Sequence, residues 1–349
     1  MSIQKSLFGT LPDGRAVDCY TLENQNGVRA NILTYGGTLN SLFVPDRKGC
    51  LADILAGFDT LEGHLKYSDY QGMLVGRYAN RIADGAFQLG GEEYHVTRNE
   101  NGITCLHGGG EFSHAVWDAL PLGENALRLS YESPEGAHGF PGRVTARVTY
   151  TLTQENALRI EYHAVSDQDT ILNLTNHAYF NLGGYDAGEI GGHILRLNAS
   201  FFTPTDARNI PTGELRDVTG TPFDFRTPKA LSEGLDSGYA PIASCEGYDH
   251  NFCIDHWDGS LREAGEVYEP RSGRAMRFLT DLPGVQLYTG NFLSGHPGKG
   301  GKPVARRTGF CLETQFYPDS PNQPEFPSCM FRAGEPFVST TEFQFSVRD

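Results

Sequence analysis

Apolar and polar residues alternate with a period of two along much of this 349-residue chain. In "ALRLSYE", Leu127, Leu129 and Tyr131 alternate with Arg128, Ser130 and Glu132. In "RVTARVTYTLT", Val144, Ala146, Val148, Tyr150 and Leu152 alternate with Thr145, Arg147, Thr149 and Thr151. "LRIEYHA" continues the rule through Leu158, Ile160 and Tyr162, and the intervening "TQEN" supplies a hairpin turn. "MRFLTDLPGVQLYTGNFL" (276–293) and "EPFVSTTEFQFSV" (335–347) read the same way. Such alternation describes strands with one wet and one dry face. Helical periodicity is scarce; residues 59–71 predict one short helix, N-capped by Asp59 or Thr60. No βαβ rhythm is present, which argues against a doubly wound parallel sheet. Long antiparallel strands with Gly-rich turns predict an all-β fold, a large antiparallel β-sandwich with few short helices. Without an internal repeat or a break in composition, residues 1–349 are expected to form a single domain. Residues 203–243 read as a long Pro- and Thr-containing excursion, and "SGHPGKGGKP" (294–303) as a mobile Gly/Lys loop.

Composition narrows the function. The formal net charge of −15 argues against nucleic acid, an anionic membrane surface and polyanionic substrates, and favours a neutral small molecule. Seven cysteines without a C-x-x-C pair read as reduced thiols, not as a disulfide framework or a zinc site. The opening "MSIQKSLFGTLPDG" lacks the apolar stretch of a secretory leader, and nowhere do 18 apolar residues run together. A cytoplasmic location is therefore expected, and the glycosylation sequons at Asn173 and Asn198 are read as chance matches.

Three motifs lead nowhere. "HGGG" (107–110) matches the oxyanion loop of lipases, but the G-x-S-x-G elbow that reading requires is absent. "GKGGK" lacks the spacing and the Ser/Thr of a phosphate loop, and G-x-G-x-x-G does not occur. His250 and His256 stand six apart, a spacing that fits neither a helical nor an alternating strand pair of metal ligands.

What remains is a set of polar groups placed where strands end: Asn80 and Arg81 in "GRYANRIADG", His107 in "CLHGGG", His177 in "NLTNHAYFNL", Asp249 in "GYDHNF", Gln286 in "GVQLYTGN" and Glu313 in "CLETQFYPDSPNQPEFP". Each has an ordinary explanation. His177 reads as a core histidine bonded by Asn176 and Asn181; Arg81 and Asp249 as a surface ion pair; Glu313 as a solvated strand residue. On a β scaffold, however, amides, carboxylates and a guanidinium that read hydroxyls, with aromatics to cover a pyranose face, amount to the inventory of a sugar site.

The same segments carry a resemblance. From about residue 5 to the C-terminus the chain resembles the aldose 1-epimerases (galactose mutarotases). N-x-T-N-H-x-Y-F-N-L is matched in full by Asn173 to Leu182. "GRYANRIADGAF", "LHGG", "IPTGELRDVTGTPFDF", "YDHNF", "GVQLYTGN" and "LETQFYPDSPNQPEFP" follow the family's order. After "LHGG" the chain has "GGEFSHAVW", one residue shorter than the family pattern. The resemblance implies a β-sandwich with its site in a cleft on one sheet. It implies Glu313 as general base and His177 as general acid, with Asn80, Arg81, His107, Asp249 and Gln286 binding the sugar.

Anomer exchange needs the C1 hydroxyl proton removed while the ring oxygen is protonated, then C1 rotation and reclosure on the other face. No electrons pass to an acceptor and no water is consumed, so no cofactor and no metal are expected. An acid and a base contribute typically ~10²–10⁴-fold each. The expected partner is a small aldose, with the chain a monomer or weak homodimer. Two rival readings use the same scaffold. A non-catalytic sugar-binding module would keep Arg81 and Asp249 without needing Glu313 beside His177. A sugar-phosphate epimerase would add a cluster of Arg or Lys. A glycosidase would pair Asp249 with Glu313, but the acid position is filled by His177.

Overall fold

The structure, a computed structural model, describes residues 3–67 and 69–349. The alternating segments become Ala126–Ser133, Val144–Leu152 and Ala157–Ser166, paired antiparallel in sequence order. Residues 153–156 turn between the last two, where the Thr153 N–H donates to the Ala157 carbonyl (2.8 Å). Along Val144–Leu152 every second residue is buried, as the pattern requires. These strands sit in a nine-stranded sheet completed by Asp118–Leu122, Pro336–Val347, Arg274–Thr280, Arg262–Tyr268, Ile194–Leu197 and Lys229–Ala230. An N-terminal meander from Gln4–Thr10 to Leu51–Asp53 forms a second sheet of five strands. The third sheet runs in the order Arg216–Asp217, Phe201–Phe202, Asp249–Cys253, Gly284–Tyr288, Cys311–Gln315. The fold is all-β and antiparallel between its named strands, with short helices only.

The segment 276–293 departs from expectation. It does not continue in one sheet: Arg274–Thr280 belongs to the nine-stranded sheet and Gly284–Tyr288 to the third. All five residues of Gly284–Tyr288 are buried, so this strand has no wet face. The same holds for Asp249–Cys253 and Cys311–Gln315. One face of the third sheet joins the main core: Phe252, Val285, Leu287 and Leu312 cluster with Ile160, Tyr162, Phe278 and Phe343. A hydrogen bond between the hydroxyls of Thr314 and Thr341 (2.5 Å) ties this face to the nine-stranded sheet. The opposite face, equally buried, carries polar side chains and forms the floor of the site.

The helix expected at 59–71 is the single run Leu61–Lys66, with Thr60 as N-cap accepting from the Gly63 N–H; residue 68 lies outside the described residues. The excursion 203–243 holds one short helix, Leu231–Leu235, and leads into another, Ala240–Ser244. The expected mobile loop at 294–303 is instead an anchored hairpin of Ser294–Pro297 and Pro303–Ala305. Lys299 is drawn inside and donates from Nζ to Asp53 Oδ2 (2.6 Å), the Leu55 carbonyl (3.0 Å) and the Asn40 carbonyl. The Lys/Gly composition suggested a solvated loop because sequence does not reveal that a carboxylate and two carbonyls await the ammonium. Removing one partner of a buried pair strands the other, at about 3–5 kcal/mol. Lys299→Ala is therefore expected to lower the urea midpoint by a corresponding amount, and Lys299→Ala with Asp53→Asn to lose less than Lys299→Ala alone. An unchanged midpoint in Lys299→Ala contradicts this.

Candidate active site

Pairing register assembles the site. Across the third sheet, Asn251 lies opposite Gln286 and Gln286 opposite Glu313, while Asp249 lies opposite Tyr288 and Tyr288 opposite Cys311. Directly opposed residues share a face, as do residues two apart. Asp249, Asn251, Gln286, Tyr288, Cys311 and Glu313 therefore all project from the face turned away from the core. The remaining groups arrive from two short ladders. Arg81–Ile82 pairs with Cys105–Leu106, which brings Asn80 beside His107. Thr175–Asn176 pairs with Leu74–Val75 and delivers His177 at its end.

The result is a cleft of ≈ 520 Å³ lined by Asn80, Arg81, His107, His177, Asp249 and Glu313 among others, a volume suited to a small ligand. Gln286 does not line it. Its Nε2 donates to Asp249 Oδ1 (2.7 Å), so it supports Asp249 from behind. A larger depression, ≈ 640 Å³, lies on the outer face of the nine-stranded sheet. Most of its charges are already matched, as in the pairs Arg159–Glu342 and Arg348–Glu266; it offers none of the buried reactive groups found in the cleft.

The ordinary explanations fail in specific ways. Asn176 donates to the Gly72 carbonyl and Tyr150 Oη, and Asn181 to the Gly188 and Thr308 carbonyls; neither side chain bonds His177. Glu313 is 2% exposed and His177 5%. Arg81 and Asp249 do pair, NH1 to Oδ2 at 3.7 Å, but within the cleft wall and not at the surface. Arg81 is gripped further by Glu100, which accepts from Nε and from NH2 (2.9 Å each for the closest contacts). Burial disfavours the guanidinium charge, yet Asp249 and Glu100 outweigh it and raise its pKa.

Burial sets the proton affinities of His177 and Glu313. His177 Nε2 lies 3.6 Å from Glu313 Oε1. Burial lowers the His177 pKa to about 4, against smaller opposing effects of its own carbonyl, Asp249 and Asp69. Burial, then Asp249, drives the Glu313 carboxyl well above its ordinary range, with Arg81 opposing. Both shifts favour the uncharged forms, a neutral imidazole and a protonated carboxyl. Glu313 Oε2 is buried with no hydrogen-bond partner among the described residues, a vacancy that a substrate hydroxyl can fill. The Tyr179 ring stacks on His177 at 4.9 Å, and Tyr70 lies near-parallel at 6.1 Å.

His107 is held differently. Its Nδ1 accepts from the Asn80 N–H (3.3 Å), so the neutral ring presents Nε2–H to the cleft. Burial, with His177 and Arg81 nearby, keeps it neutral by lowering its pKa well below 6.5. A Cβ on Gly108 (φ +61°) would lie 2.3 Å from the Gly76 carbonyl, so the glycine serves close packing of the chain on itself.

His107, His177 and Glu313 offer ligand atoms within 4.8 Å of one another, a His₂Glu set that spacing along the sequence could not reveal. His250 and His256 form no such set: His250 is buried against Asp249, with Nδ1 accepting its N–H (3.1 Å), and His256 is exposed. The three-residue set suits a metal poorly, because His107 Nδ1 faces an N–H donor and leaves hydrogen, not a lone pair, on Nε2. Activity is accordingly expected to survive exhaustive chelation; loss of anomer equilibration restored by added zinc would overturn this.

Several residues were not singled out from sequence. Tyr179 and Cys311 stand two positions from His177 and Glu313, so period-two spacing alone pointed to them. Glu100 and Asp69 lie outside strands and carried no such signal. Asn173, in the first sequon, is fully buried and donates to the Ala79 and Phe316 carbonyls, in keeping with a chance match.

A β-sandwich carrying a buried carboxyl–imidazole pair in a sugar-sized cleft defines an acid–base enzyme for a small polar substrate. The chain belongs to the aldose 1-epimerase family, whose sequence profile matches residues 18–344. It is 42% identical over 350 aligned positions to a galactose mutarotase of Bos taurus and 41% over 351 to that of Homo sapiens, with 99% of each chain covered. An aldose 1-epimerase of Escherichia coli (strain K12) is 36% identical over 96% of both chains. Among solved structures, an aldose epimerase homologue from C. elegans superposes with a TM-score of 0.88 at 32% identity, covering 96% of this chain and 100% of that one. A galactose 1-epimerase from Lactobacillus acidophilus does so with a TM-score of 0.87 at 26% identity, covering 100% of both.

Proposed function

We propose that this aldose 1-epimerase interconverts the α and β anomers of free aldoses such as galactose and glucose, with Glu313 and His177 as its acid–base pair. The observation that carries the reading is the 3.6 Å approach of the two groups beside the unpartnered Oε2. With the cyclic sugar bound, Glu313 as carboxylate takes the C1 hydroxyl proton. The C1–ring-oxygen bond breaks, its electron pair going to the ring oxygen, which takes the Nε2 proton of His177. The open chain then lies between a protonated Glu313, donating to the carbonyl oxygen, and a neutral His177, accepting from the new hydroxyl. Rotation of C1 and the reverse transfers close the ring on the other face.

That intermediate state carries the uncharged forms that burial favours for both groups. Burial disfavours the charged pair and so favours the open-chain arrangement, which is where catalysis requires stabilisation. Arg81, His107 and Asp249 hold the hydroxyls, with Asn80 and Gln286 positioning His107 and Asp249. A binding module has no need of a coupled pair. A sugar phosphate finds no free cation: Arg81 is the one Lys or Arg among the described cleft-lining residues, and it is already held by two carboxylates. We further propose that residues 1–349 act as one β-sandwich unit, monomeric or weakly dimeric and cytoplasmic. Among the described residues no helix is long and apolar enough to cross a membrane. Polarimetry over galactose, glucose, xylose, arabinose and fucose tests the function; failure to accelerate equilibration of any of them overturns it.

A further inference from the structure

The strand that supplies Glu313 touches His177 twice. Cys311 and Glu313, two residues apart, project from the same face of Cys311–Gln315. Cys311 Sγ lies 3.4 Å from His177 Nδ1 while Glu313 Oε1 lies 3.6 Å from Nε2. One strand thus spans both nitrogens of the imidazole. Cys311 is fully buried, packed with Tyr179 and Tyr288, so the contact is sealed from water.

We propose that Cys311 is a positioning residue that accepts a hydrogen bond from His177 Nδ1–H, fixing the ring so that Nε2 is the nitrogen that gains and loses the catalytic proton. The proposal rests on the assignment of His177 and Glu313 as the acid–base pair. Its logic is tautomeric. After giving its Nε2 proton to the ring oxygen, His177 must carry its remaining hydrogen on Nδ1. Which nitrogen bears that hydrogen is set by the group facing the other. Imidazole in water favours the opposite tautomer, with hydrogen on Nε2, so an acceptor is needed at Nδ1. The two histidines of the cleft also differ in their Nδ1 neighbours. The Asn80 N–H makes His107 a fixed Nε2–H donor, and the Cys311 sulfur leaves His177 Nε2 free to exchange.

A thiol also suits the charge of the site. A carboxylate at Nδ1 would hold His177 as imidazolium and weaken it as an acid, whereas burial keeps the Cys311 thiol protonated and uncharged. Sulfur is a weak acceptor, so it orients the ring without retaining the proton.

The test combines nitrogen NMR of His177 with kinetics. In the wild type at neutral pH, His177 is expected to be neutral with hydrogen on Nδ1; hydrogen on Nε2 overturns the proposal with no mutant needed. Cys311→Ala is expected to shift the ring toward the Nε2–H tautomer and to lower kcat roughly 10-fold, with KM changed less than about twofold. Cys311→Ser, whose hydroxyl also accepts, is expected to recover most of the loss. A Cys311→Ala enzyme with wild-type kcat and tautomer, or one slowed only in proportion to its lost folded fraction, overturns it. The parent assignment fails separately: His177→Asn at wild-type turnover refutes the acid–base pair, whereas an inactive His177→Asn with an unaffected Cys311→Ala refutes only the positioning role.

Discussion

Glu313→Gln and His177→Asn are each expected to lower kcat by on the order of 10²–10⁴, with sugar affinity changed far less. Gln keeps the shape of the carboxyl but neither takes nor returns the C1 proton; Asn removes the group that meets the ring oxygen. Because one proton circulates between the two residues, they act as a unit, and the double mutant should lose little more than either single one. Arg81, His107 and Asp249 remain in place, so galactose binding by calorimetry should persist. The pH profile of kcat/KM is expected to be bell-shaped, but with its limbs in unusual order. The imidazole, depressed to about 4, governs the acidic limb. The carboxyl, raised by burial, governs the basic one. Both apparent values belong to the coupled pair. Polarimetry on the three variants decides the matter. Near wild-type turnover in Glu313→Gln refutes the assignment, and losses that multiply in the double mutant place the two residues in separate steps.

The second large effect concerns stability. Five buried histidines have pKa values pulled down from 6.5, chiefly by burial: His107 well below it, His64 to about 3, and His177, His193 and His250 to about 4. Between about pH 4 and 6.5 the unfolded chain protonates these rings and the folded one does not. The unfolded state then binds more protons, so stability rises with pH; it is complete above 6.5 and is lost as pH falls toward 4. Glu313 acts in the opposite sense, since its folded carboxyl keeps a proton that the unfolded one releases above about 4.5. Asp281 and Asp319, also raised by burial, act as Glu313 does, and the five histidines outnumber all three. At ~1.4 kcal/mol per group for each pH unit well below 6.5, the net loss between pH 7 and 5.5 is on the order of 3–5 kcal/mol. That is a large share of the 5–15 kcal/mol typical of a folded domain. Urea midpoints at the two pH values should differ accordingly; equal midpoints would mean that the rings titrate normally when folded.

The long strands were legible because each has one wet and one dry face, so burial and sequence repeat together. Residues 126–166 show this best. The third sheet escaped the same reading. In Cys311–Gln315 the alternation is present, Leu312 and Thr314 against Cys311, Glu313 and Gln315, but its polar side is buried too. Taking Glu313 for a solvated residue follows naturally from the pattern and is wrong for that reason. The motif residues were legible as a set, since six lie on the cleft, yet their roles were not. That Gln286 donates to Asp249, and that the Asn80 backbone N–H donates to His107, depends on register and on a left-handed turn at Asn80 (φ +64°). Lys299 shows the opposite failure, a solvated-looking side chain whose buried partners lie some 250 positions away in the sequence.

The register of the third sheet also constrains how such a protein can diverge. Because Asp249, Gln286 and Glu313 project from one face of three neighbouring strands, a single residue inserted into Gly284–Tyr288 would exchange Gln286 for Val285 or Leu287 on that face. Length changes inside these strands are therefore closed to evolution, and new substrate preferences must be written by point substitution on the floor or by insertion and deletion in the rim. The 203–212 segment that brings Asn209 to the cleft edge is free of that parity rule. On this scaffold chemistry is inherited with the sheet, and taste is edited in the loops.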